Sequence, residues 1–369
     1  MLKRPTVYDV AERAGVSIAT VSFTFRKPER VKDSTRDSVL AAARSLGYVP
    51  SANARGLAHG RTGALGLYSF DYLLGTSDAE IVAPRVRGDA GSEVATLERD
   101  DANGNLRLFP LYVDEVQRGV ELGCRRRGFA LMIGAGCEAN GAAVVTDIAG
   151  RVDGLAVFPG TVPSDVLSHI SRRIPVVELS KPSHDDELNH VTVDNVAGMR
   201  ALTEHLIVDH GLRDLQFVGA LDSSDNTARF KGFQSAVRAA GLRVPRRPIA
   251  GCGGDIQRAE VVVADVLSGG GLPDGLVCVT DQDALAVMDA LADARVAVPR
   301  RVVVTGFDGI AAGRIVRPTL TTVRQPMEQM GRTVVDILVD RLAHPADPPV
   351  SRQLPVQVVL RGSCGCRQP

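Results

Sequence analysis

Residues 6–22 read Thr-Val-Tyr-Asp-Val-Ala-Glu-Arg-Ala-Gly-Val-Ser-Ile-Ala-Thr-Val-Ser and predict two short helices joined by a tight turn. Thr6 and Asp9 stand three residues apart, which is the spacing of a capping box at the start of the first helix. Gly15 can take the left-handed conformation that ends this helix, and Ser17 can cap the next one. Helix, glycine turn and helix in this order predict a helix-turn-helix, a DNA-reading motif.

The second predicted helix has one buried side and one free side. Val16 and Val21 are expected to pack against the first helix. The side chains left to face outward are Ile18, Ala19, Ser22 and Phe23. Residues exposed at the start of a second helix are those that enter the major groove.

A third helix is predicted before Gly47, with Asp33 or Ser34 as its cap and Ser34 with Asp37 as a second capping box. The alternative is three ordinary helices of a larger domain. Charge favours the DNA-binding interpretation, because residues 1–62 carry eleven lysines and arginines against five aspartates and glutamates. Residues 1–62 therefore have a net charge of +6, and the remaining 307 residues have a net charge of −6, which gives the whole chain a formal charge of zero. A basic N-terminal segment is suited to binding DNA phosphates.

The whole chain has 369 residues and 44% hydrophobic residues, which is enough for two or three domains with real cores. No apolar run is long enough to span a membrane, and the N-terminus lacks a signal peptide. We therefore expect a cytoplasmic protein with no membrane partner.

Six cysteines are scattered along the chain and are expected to be reduced thiols. Cys364 and Cys366 form a short pair, but a structural zinc site needs two further ligands. His205 and His210 are five residues apart, off the spacing that places two ligands on one helical face. The sequence predicts no metal site, no catalytic residues and no cofactor.

Beyond residue 63, apolar strand-like runs alternate with helical segments, which predicts an α/β core of parallel sheets covered by helices on both faces. The expected strands are 64–70, 129–133, 154–158, 175–179, 215–218, 276–279 and 302–305. The expected helices are 112–127, 195–209, 227–240, 256–267 and 282–294. Two such sheets in series would give two lobes.

The segments predict three parts of the chain. Residues 1–50 form the helix-turn-helix headpiece, residues 51–62 a hinge helix and linker, and residues 63–369 a two-lobed core. Residues 75–109 are too polar for a buried strand or helix and are interpreted as a mobile surface insertion.

One stretch supports a different function. Residues 134–139, Gly-Ala-Gly-Cys-Glu-Ala, follow a predicted strand and match a relaxed dinucleotide fingerprint, with Asp153 at a suitable distance. An NAD site would make the protein an enzyme. Glycines after strands are common in α/β folds, and no catalytic histidine or cysteine set accompanies these, so the enzyme remains the weaker hypothesis.

Taken together, the chain resembles the LacI/GalR family of bacterial transcription repressors over nearly its full length. The residues that carry the resemblance are 6–22, Leu-Gly-Tyr-Val-Pro at 46–50, Asn-Ala-Arg-Gly-Leu-Ala at 53–58, Thr-Gly-Phe-Asp-Gly at 305–309 and Pro-Thr-Leu-Thr-Thr at 318–322. The resemblance implies a homodimer whose headpieces bind the two halves of a near-palindromic operator. It also implies a core related to periplasmic sugar-binding proteins.

The resemblance assigns DNA contacts within the headpiece. Its base-reading positions are occupied by Ile18, Ala19 and Phe23, while Tyr8 would brace the first helix that Thr6 starts. The positions that contact the DNA backbone are occupied by Ser17, Thr20, Ser22, Arg26, Arg30, Lys32, Thr35 and Tyr48. The family commonly has an arginine where Phe23 stands, so this helix is expected to read thymine methyl groups and DNA shape more than guanine.

Residues 51–58 resemble the family's hinge helix, which inserts a leucine between base pairs from the minor groove. That leucine is Leu57 here, with Asn53 and Ala54 beside it. Such a wedge unstacks a base step and bends the duplex onto more protein surface. The alternative is that Leu57 is a small contact within a linker.

The family's effector site lies between the core lobes at strand ends, where parallel sheets favour ligands. Arg229 is the strongest candidate, because the family uses this arginine to hydrogen-bond a polar ligand. The other positions that match are Ser69, Tyr72, Phe158, Asp281, Phe307 and Asp308, with Phe217 as a further apolar wall. Asp281 could instead only cap its helix, and Asp308 could instead bridge strands.

The sequence therefore predicts a DNA-binding transcriptional regulator, a repressor, controlled by a small-molecule effector such as a sugar or sugar derivative. The partners expected are operator DNA, the effector and a second copy of the chain. The alternatives are a solute-binding protein without a regulatory role and an NAD-linked enzyme.

Overall fold

The computed structural model describes residues 5–49, 61–70, 111–136, 141–180, 188–253, 256–269 and 271–366. The chain divides into two compact units, Met1–Gly63 and Ala64–Pro369. The predicted insertion at 75–109 lies outside the described residues, as do Asn53, Ala54, Leu57 and Tyr72.

The described part of the first unit contains three helices, α1 Val7–Ala14, α2 Ile18–Arg26 and α3 Asp33–Leu46, with a short 3-10 turn at Pro28–Arg30. The capping box predicted for α1 is confirmed. The Thr6 amide donates to Asp9 Oδ2 at 2.6 Å, and the Asp9 amide donates to Thr6 Oγ1 at 3.4 Å. Gly15 ends α1 with a φ of 65°, a conformation that suits glycine.

A small apolar core holds the three helices together. Val10, Val21 and Val39 contribute one fully buried side chain from each helix. The cap predicted for α3 is wrong, because the helix begins at Asp33, and Lys32 precedes it with no capping side chain. Asp33 lies inside the first turn instead, where its negative charge suits the positive end of the helix dipole.

The second unit contains two sheets and eight described α-helices. The first six strands are β1 Ala64–Phe70, β2 Ala130–Gly136, β3 Gly154–Val157, β4 Val176–Glu178, β5 Asn189–Val193 and β6 Leu215–Val218. The remaining five are β7 Gly275–Cys278, β8 Val303–Asp308, β9 Thr321–Arg324, β10 Ser351–Leu354 and β11 Gln357–Val359. The helices are α4 Leu111–Arg127, α5 Gly141–Ala149, α6 Ser164–Ser171, α7 Asn195–Val208, α8 Ser224–Ala239, α9 Ile256–Ser268, α10 Asp281–Asp293 and α11 Met327–Ala343. In the described part of the chain, no helix is both long and apolar enough to cross a membrane.

The strands pair into one sheet per lobe. The first has the order β10-β5-β4-β3-β1-β2 and is parallel throughout, while the second has the order β11-β9-β8-β7-β6. Among the described strands, only β11 runs antiparallel to its neighbour, β9. The described strands cross from one sheet to the other after β5, after β9 and after β10, so both lobes are built from separated parts of the chain.

The α/β class and the two sheets predicted from the sequence are confirmed, but several elements were missed. The sequence did not predict α5, α6, α11, β5 or β9–β11. Strand β5, Asn-His-Val-Thr-Val, is buried at every position although it carries three polar residues. Its amide and hydroxyl groups find partners inside the protein, so hydropathy alone does not reveal it.

The glycine-rich stretch at 134–139 begins inside a strand rather than after one. Gly134 is the fifth residue of β2, and a side chain there would collide with Ile148 of α5. This glycine allows α5 to pack closely on the sheet. Its role in packing removes the reason to interpret it as part of a phosphate-binding turn.

Candidate functional site

The start of α2 is fixed by hydrogen bonds that leave its outer face free. The Thr20 amide donates to Ser17 Oγ at 3.1 Å, and the two hydroxyl oxygens lie 2.9 Å apart. Ser17 therefore caps α2 as predicted. The capped end presents the first residues of the helix to solvent.

Large apolar side chains are exposed on this small basic unit. The exposed fractions are 67% for Tyr8, 41% for Ile18 and 40% for Phe23, and Ala19 is exposed beside them. Exposed apolar groups on a domain with so small a core suggest a contact surface. Their chemistry suits thymine methyl groups, because none of the three α2 side chains offers a hydrogen bond.

The predicted backbone-contacting residues are placed less uniformly. Arg30 and Lys32 are exposed just before α3, whereas Thr20, Ser22 and Thr35 are half-buried. Tyr48 is half-buried too, with its ring centroid 6.1 Å from that of Phe25. The Tyr48 ring therefore helps to close the headpiece core.

In the core, Arg229 of α8 is the centre of a buried polar cluster. Its Nε donates to Asn195 Oδ1 at 2.9 Å, and its Nη1 donates to the Val279 carbonyl at 2.9 Å. Nη1 also lies 3.3 Å from Asp308 Oδ1. Nη2 makes no hydrogen bond to any part of the chain that the structure describes, so its two N–H groups are available to a ligand.

Asp308 stands at the carboxyl end of β8 in an unusual backbone conformation. Its φ is 124°, which is rare for a residue other than glycine, and Gln325 Nε2 donates to its Oδ1 at 2.8 Å. Burial raises the pKa of Asp308 to about 6, although the nearby Arg229 guanidinium lowers it. A strained, buried carboxylate beside an arginine is typical of a ligand site.

Asp281 supports this site from behind. Its Oδ2 accepts the amides of Gly309 and Ile310 at 2.8 and 2.9 Å, and its Oδ1 accepts the Thr322 hydroxyl. Burial and, to a smaller extent, the neighbouring Asp308 carboxylate together raise the pKa of Asp281 to about 7. Asp281 thus holds the turn after Asp308, while Thr280 caps α10.

The first sheet contributes a second polar group. Ser69 lies near the carboxyl end of β1, and its hydroxyl is buried without a hydrogen-bond partner among the described residues. Strand β1 is flanked by β2 on one side and by β3 on the other, both parallel to it, so the direction in which successive strands are added to the sheet reverses at β1. Ligands of open parallel sheets bind at the carboxyl ends of strands at such a switch point.

The predicted aromatic walls are buried in the structure. Phe158 packs edge-to-face on Tyr112, with centroids 6.1 Å apart, and Phe217 packs on Phe230 and Phe233. Phe307 is also fully buried, but it lies directly beneath the Arg229 guanidinium. Of these rings, Phe307 alone is placed to shape the cluster around Arg229.

Sequence reasoning missed two members of the cluster, Asn195 and Gln325. Asn195 is the first residue of α7, and it also donates through Nδ2 to Asp225 at 2.9 Å. Asn195 follows β5, a strand that the sequence did not predict, and Gln325 follows β9, which was also missed. Because ligands bind at the carboxyl ends of parallel strands, a correct prediction of β5 and β9 would have made both residues candidates for the site.

Two family models match the chain. Residues 6–51 match the model described as bacterial regulatory proteins, lacI family, and residues 203–364 match the periplasmic binding protein-like domain. The first covers the helix-turn-helix, and the second covers most of the lobe that contains Arg229 and Asp308.

Known proteins match over nearly the full length. The HTH-type transcriptional repressor PurR of Salmonella arizonae is 28% identical over 364 residues, covering 97% of this chain and 96% of that protein. The structure of the Lac repressor dimer bound to operator and the anti-inducer ONPF is 23% identical and covers 98% of this chain and 99% of that one, with a TM-score of 0.71. A CelR–cellobiose complex is also 23% identical, covering 98% of this chain and all of that one, with a TM-score of 0.64. Over nearly its full length the chain is thus similar to the LacI family of bacterial transcriptional regulators, with a lacI-family helix-turn-helix at residues 6–51 and a periplasmic binding protein-like lobe at residues 203–364.

Proposed function

We propose that this protein is a DNA-binding repressor that acts in the cytoplasm as a homodimer and is controlled by a sugar or sugar derivative bound between its two sheets. The observation that carries the proposal is Arg229, a buried arginine held through Nε and Nη1 by Asn195, Val279 and Asp308, whose Nη2 has no hydrogen-bond partner among the described residues. The two N–H groups of Nη2 suit the hydroxyl oxygens of a sugar.

Polar groups on both sheets support the same ligand class. Asp308 can accept a hydrogen bond from a sugar hydroxyl, and the buried Ser69 hydroxyl has no partner among the described residues, so a ligand could supply one. Phe307 presents no open face, so binding would depend on hydrogen bonds more than on ring stacking. The related CelR is known in complex with cellobiose, which makes a saccharide the first class to test.

We assign the DNA-reading surface to the exposed end of α2, with Ile18, Ala19 and Phe23 facing base edges. Ser17, Thr20, Ser22, Arg26, Arg30, Lys32, Thr35 and Tyr48 are the proposed backbone contacts, with Thr6 and Tyr8 at the first helix. Asn53, Ala54 and Leu57 are the proposed minor-groove residues. Effector binding would change how the lobes hold the hinge, so that the two ligands are coupled through the core.

Two measurements test this function. Operator fragments are first selected from random DNA with the full-length protein, and binding is then titrated with a panel of mono- and disaccharides. We expect one saccharide class to change operator affinity and to raise the melting temperature of the protein. Selection of a two-fold symmetric site is expected from a dimer, and failure of every saccharide to change either quantity would overturn the assignment of the effector.

A further inference from the structure

Four metal-binding side chains converge at the end of α7, away from the Arg229 cluster. They are His205, His210, Cys364 and Cys366, and one potential ligand atom from each lies within 4.8 Å of the other three. The two histidine Nε2 atoms are 3.1 Å apart. Cys366 Sγ lies 3.3 Å from His210 Nε2 and 3.5 Å from His205 Nε2, and Cys364 Sγ lies 3.9 Å from His205 Nε2.

The fold brings these residues together in a way that helical spacing did not predict. Helix α7 ends at Val208, so His210 is not on the helix and the five-residue separation no longer sets its direction. Gly211, with a φ of 69°, turns the chain just after it. The two Nε2 atoms therefore meet although the histidines do not share a helical face.

The two cysteines reach the histidines from the far end of the chain. Cys364 ends a 3-10 turn at Gly362–Cys364, and Gly365, with a φ of 92°, redirects the chain before Cys366. The Ser363 hydroxyl fixes this turn by donating to the Val304 carbonyl at 2.6 Å. Because 159 residues separate Cys364 from His205, no local motif reveals the set.

We propose that His205, His210, Cys364 and Cys366 bind one zinc ion through two imidazole nitrogens and two thiolates. Tetrahedral zinc with Zn–N near 2.0 Å and Zn–S near 2.3 Å places its ligand atoms roughly 3.3 to 3.8 Å apart. The N–N and S–N distances here cluster around that range. Each thiol loses its proton on binding, and no electron transfer is required.

The surroundings of the four ligands fit a metal site. His205 Nδ1 lies 2.6 Å from Asp209 Oδ2, so it can donate to this carboxylate and leave Nε2 unprotonated toward the metal. The Thr321 hydroxyl donates to Cys364 Sγ at 3.1 Å, which suits a thiolate. The protein supplies four ligands as well as side chains that hydrogen-bond to two of them. A site with four protein ligands is of the closed, structural type.

Such a site would tie the C-terminal segment to α7 and the second sheet. Asn195, which holds Arg229, is the first residue of the same helix. The zinc would therefore stabilise the lobe that carries the proposed effector cluster, without touching it. The zinc proposal and the saccharide proposal can fail independently, because the metal content of the protein is measured in the absence of effector.

The experiment measures metal in the full-length, tag-free protein purified under reducing conditions without chelator. We expect about one zinc per chain by elemental analysis, and visible sulfur-to-cobalt absorption typical of a tetrahedral site when Co²⁺ replaces zinc. The doubly substituted protein H205Q/C366S should bind zinc at least about 10-fold more weakly. Cys124→Ala and His169→Gln are matched controls outside the cluster and should retain the metal.

Thermal stability provides a second readout. A zinc chelator should lower the melting temperature of the unmodified protein by several degrees and change that of H205Q/C366S much less. Absence of zinc after incubation with one equivalent of Zn²⁺ would overturn the proposal. A Cys364–Cys366 disulfide in protein purified without oxygen would also overturn it, as would full zinc retention by H205Q/C366S.

Discussion

The guanidinium carbon of Arg229 lies 4.0 Å from the centroid of the Phe307 ring. The ring supports one face of the guanidinium, while Asn195, Val279 and Asp308 bind its Nε and Nη1. A cation–π contact and a charged hydrogen bond both gain strength when buried, so the side chain is held in one orientation. Orientation fixed before binding reduces the entropy lost when a ligand arrives.

Replacing Arg229 by lysine should weaken effector binding by roughly 10- to 100-fold, since a charged hydrogen bond contributes about 1.5–3 kcal/mol. Lysine keeps the charge but loses the planar fork. Calorimetric titration with the identified effector measures the change, with the exposed Arg238→Lys on the same helix as control. Equal affinity for Arg229→Lys and the control would remove Arg229 from the site.

Stability of the core should fall as pH rises from about 4 to about 7. The pKa of Asp308 is raised to about 6 and that of Asp281 to about 7, both from 3.8 and chiefly by burial. The folded state therefore holds protons that the unfolded state has released, which favours folding at the acidic end of this range. Chemical unfolding at pH 5, 6, 7 and 8 measures this slope.

Asp308→Asn should flatten that pH profile, because one of the two buried carboxyl groups is gone and the pKa of Asp281 loses the part of its rise that the Asp308 carboxylate causes. Asparagine also tolerates the positive φ at this position. The exposed Asp293→Asn is the matched control and should keep the slope. A slope in Asp308→Asn equal to that of the control would show that the buried pair is not its source.

Thr6→Ala should destabilise the headpiece by about 1 kcal/mol through loss of the capping box. In the native protein the Thr6 hydroxyl accepts a hydrogen bond from the Asp9 backbone amide. The Asp9 carboxylate in turn accepts one from the Thr6 backbone amide. Amide hydrogen exchange in α1 should accelerate about 5-fold, while Thr6→Ser should keep the native rate. No difference between these two variants would contradict a stabilising role for the cap.

Phe23→Arg should shift operator preference toward guanine at the facing position by about 1–3 kcal/mol, because arginine pairs with two guanine acceptors and phenylalanine cannot. Competitive binding to operators changed at single base pairs measures the shift. Phe23→Leu keeps an apolar side chain and serves as the control. If Phe23→Arg selects the same operators as the unmodified protein, Phe23 does not face a base.

Leu57→Ala should lower operator affinity at least about 10-fold if the leucine wedges between base pairs, since the gain from bending the duplex is lost. DNA bending, measured by energy transfer between dyes at the operator ends, should fall with it. Leu360→Ala removes a partly exposed leucine in the other unit and should change neither quantity. Unchanged bending by Leu57→Ala would support a linker contact instead.

The sequence by itself determined the headpiece and the class of the core. The Thr6–Asp9 box, Gly15 and the Ser17 cap act within a few residues, so local chemistry was enough to predict α1 and α2. Alternating strands and helices likewise predicted parallel sheets. Polar buried strands such as β5 escaped because their hydrogen-bond partners lie elsewhere in the chain.

Only the tertiary structure decided which polar groups meet. Asn195, Arg229 and Asp308 come from three elements, and Gln325 joins them after a strand that the sequence did not reveal. The histidine pair and the cysteine pair meet across more than 150 residues, because α7 ends at Val208 and the C-terminal turn docks beside it. The chemistry of each side chain follows from the local sequence. The distances between side chains in a site, however, are set by where the chain crosses from one sheet to the other.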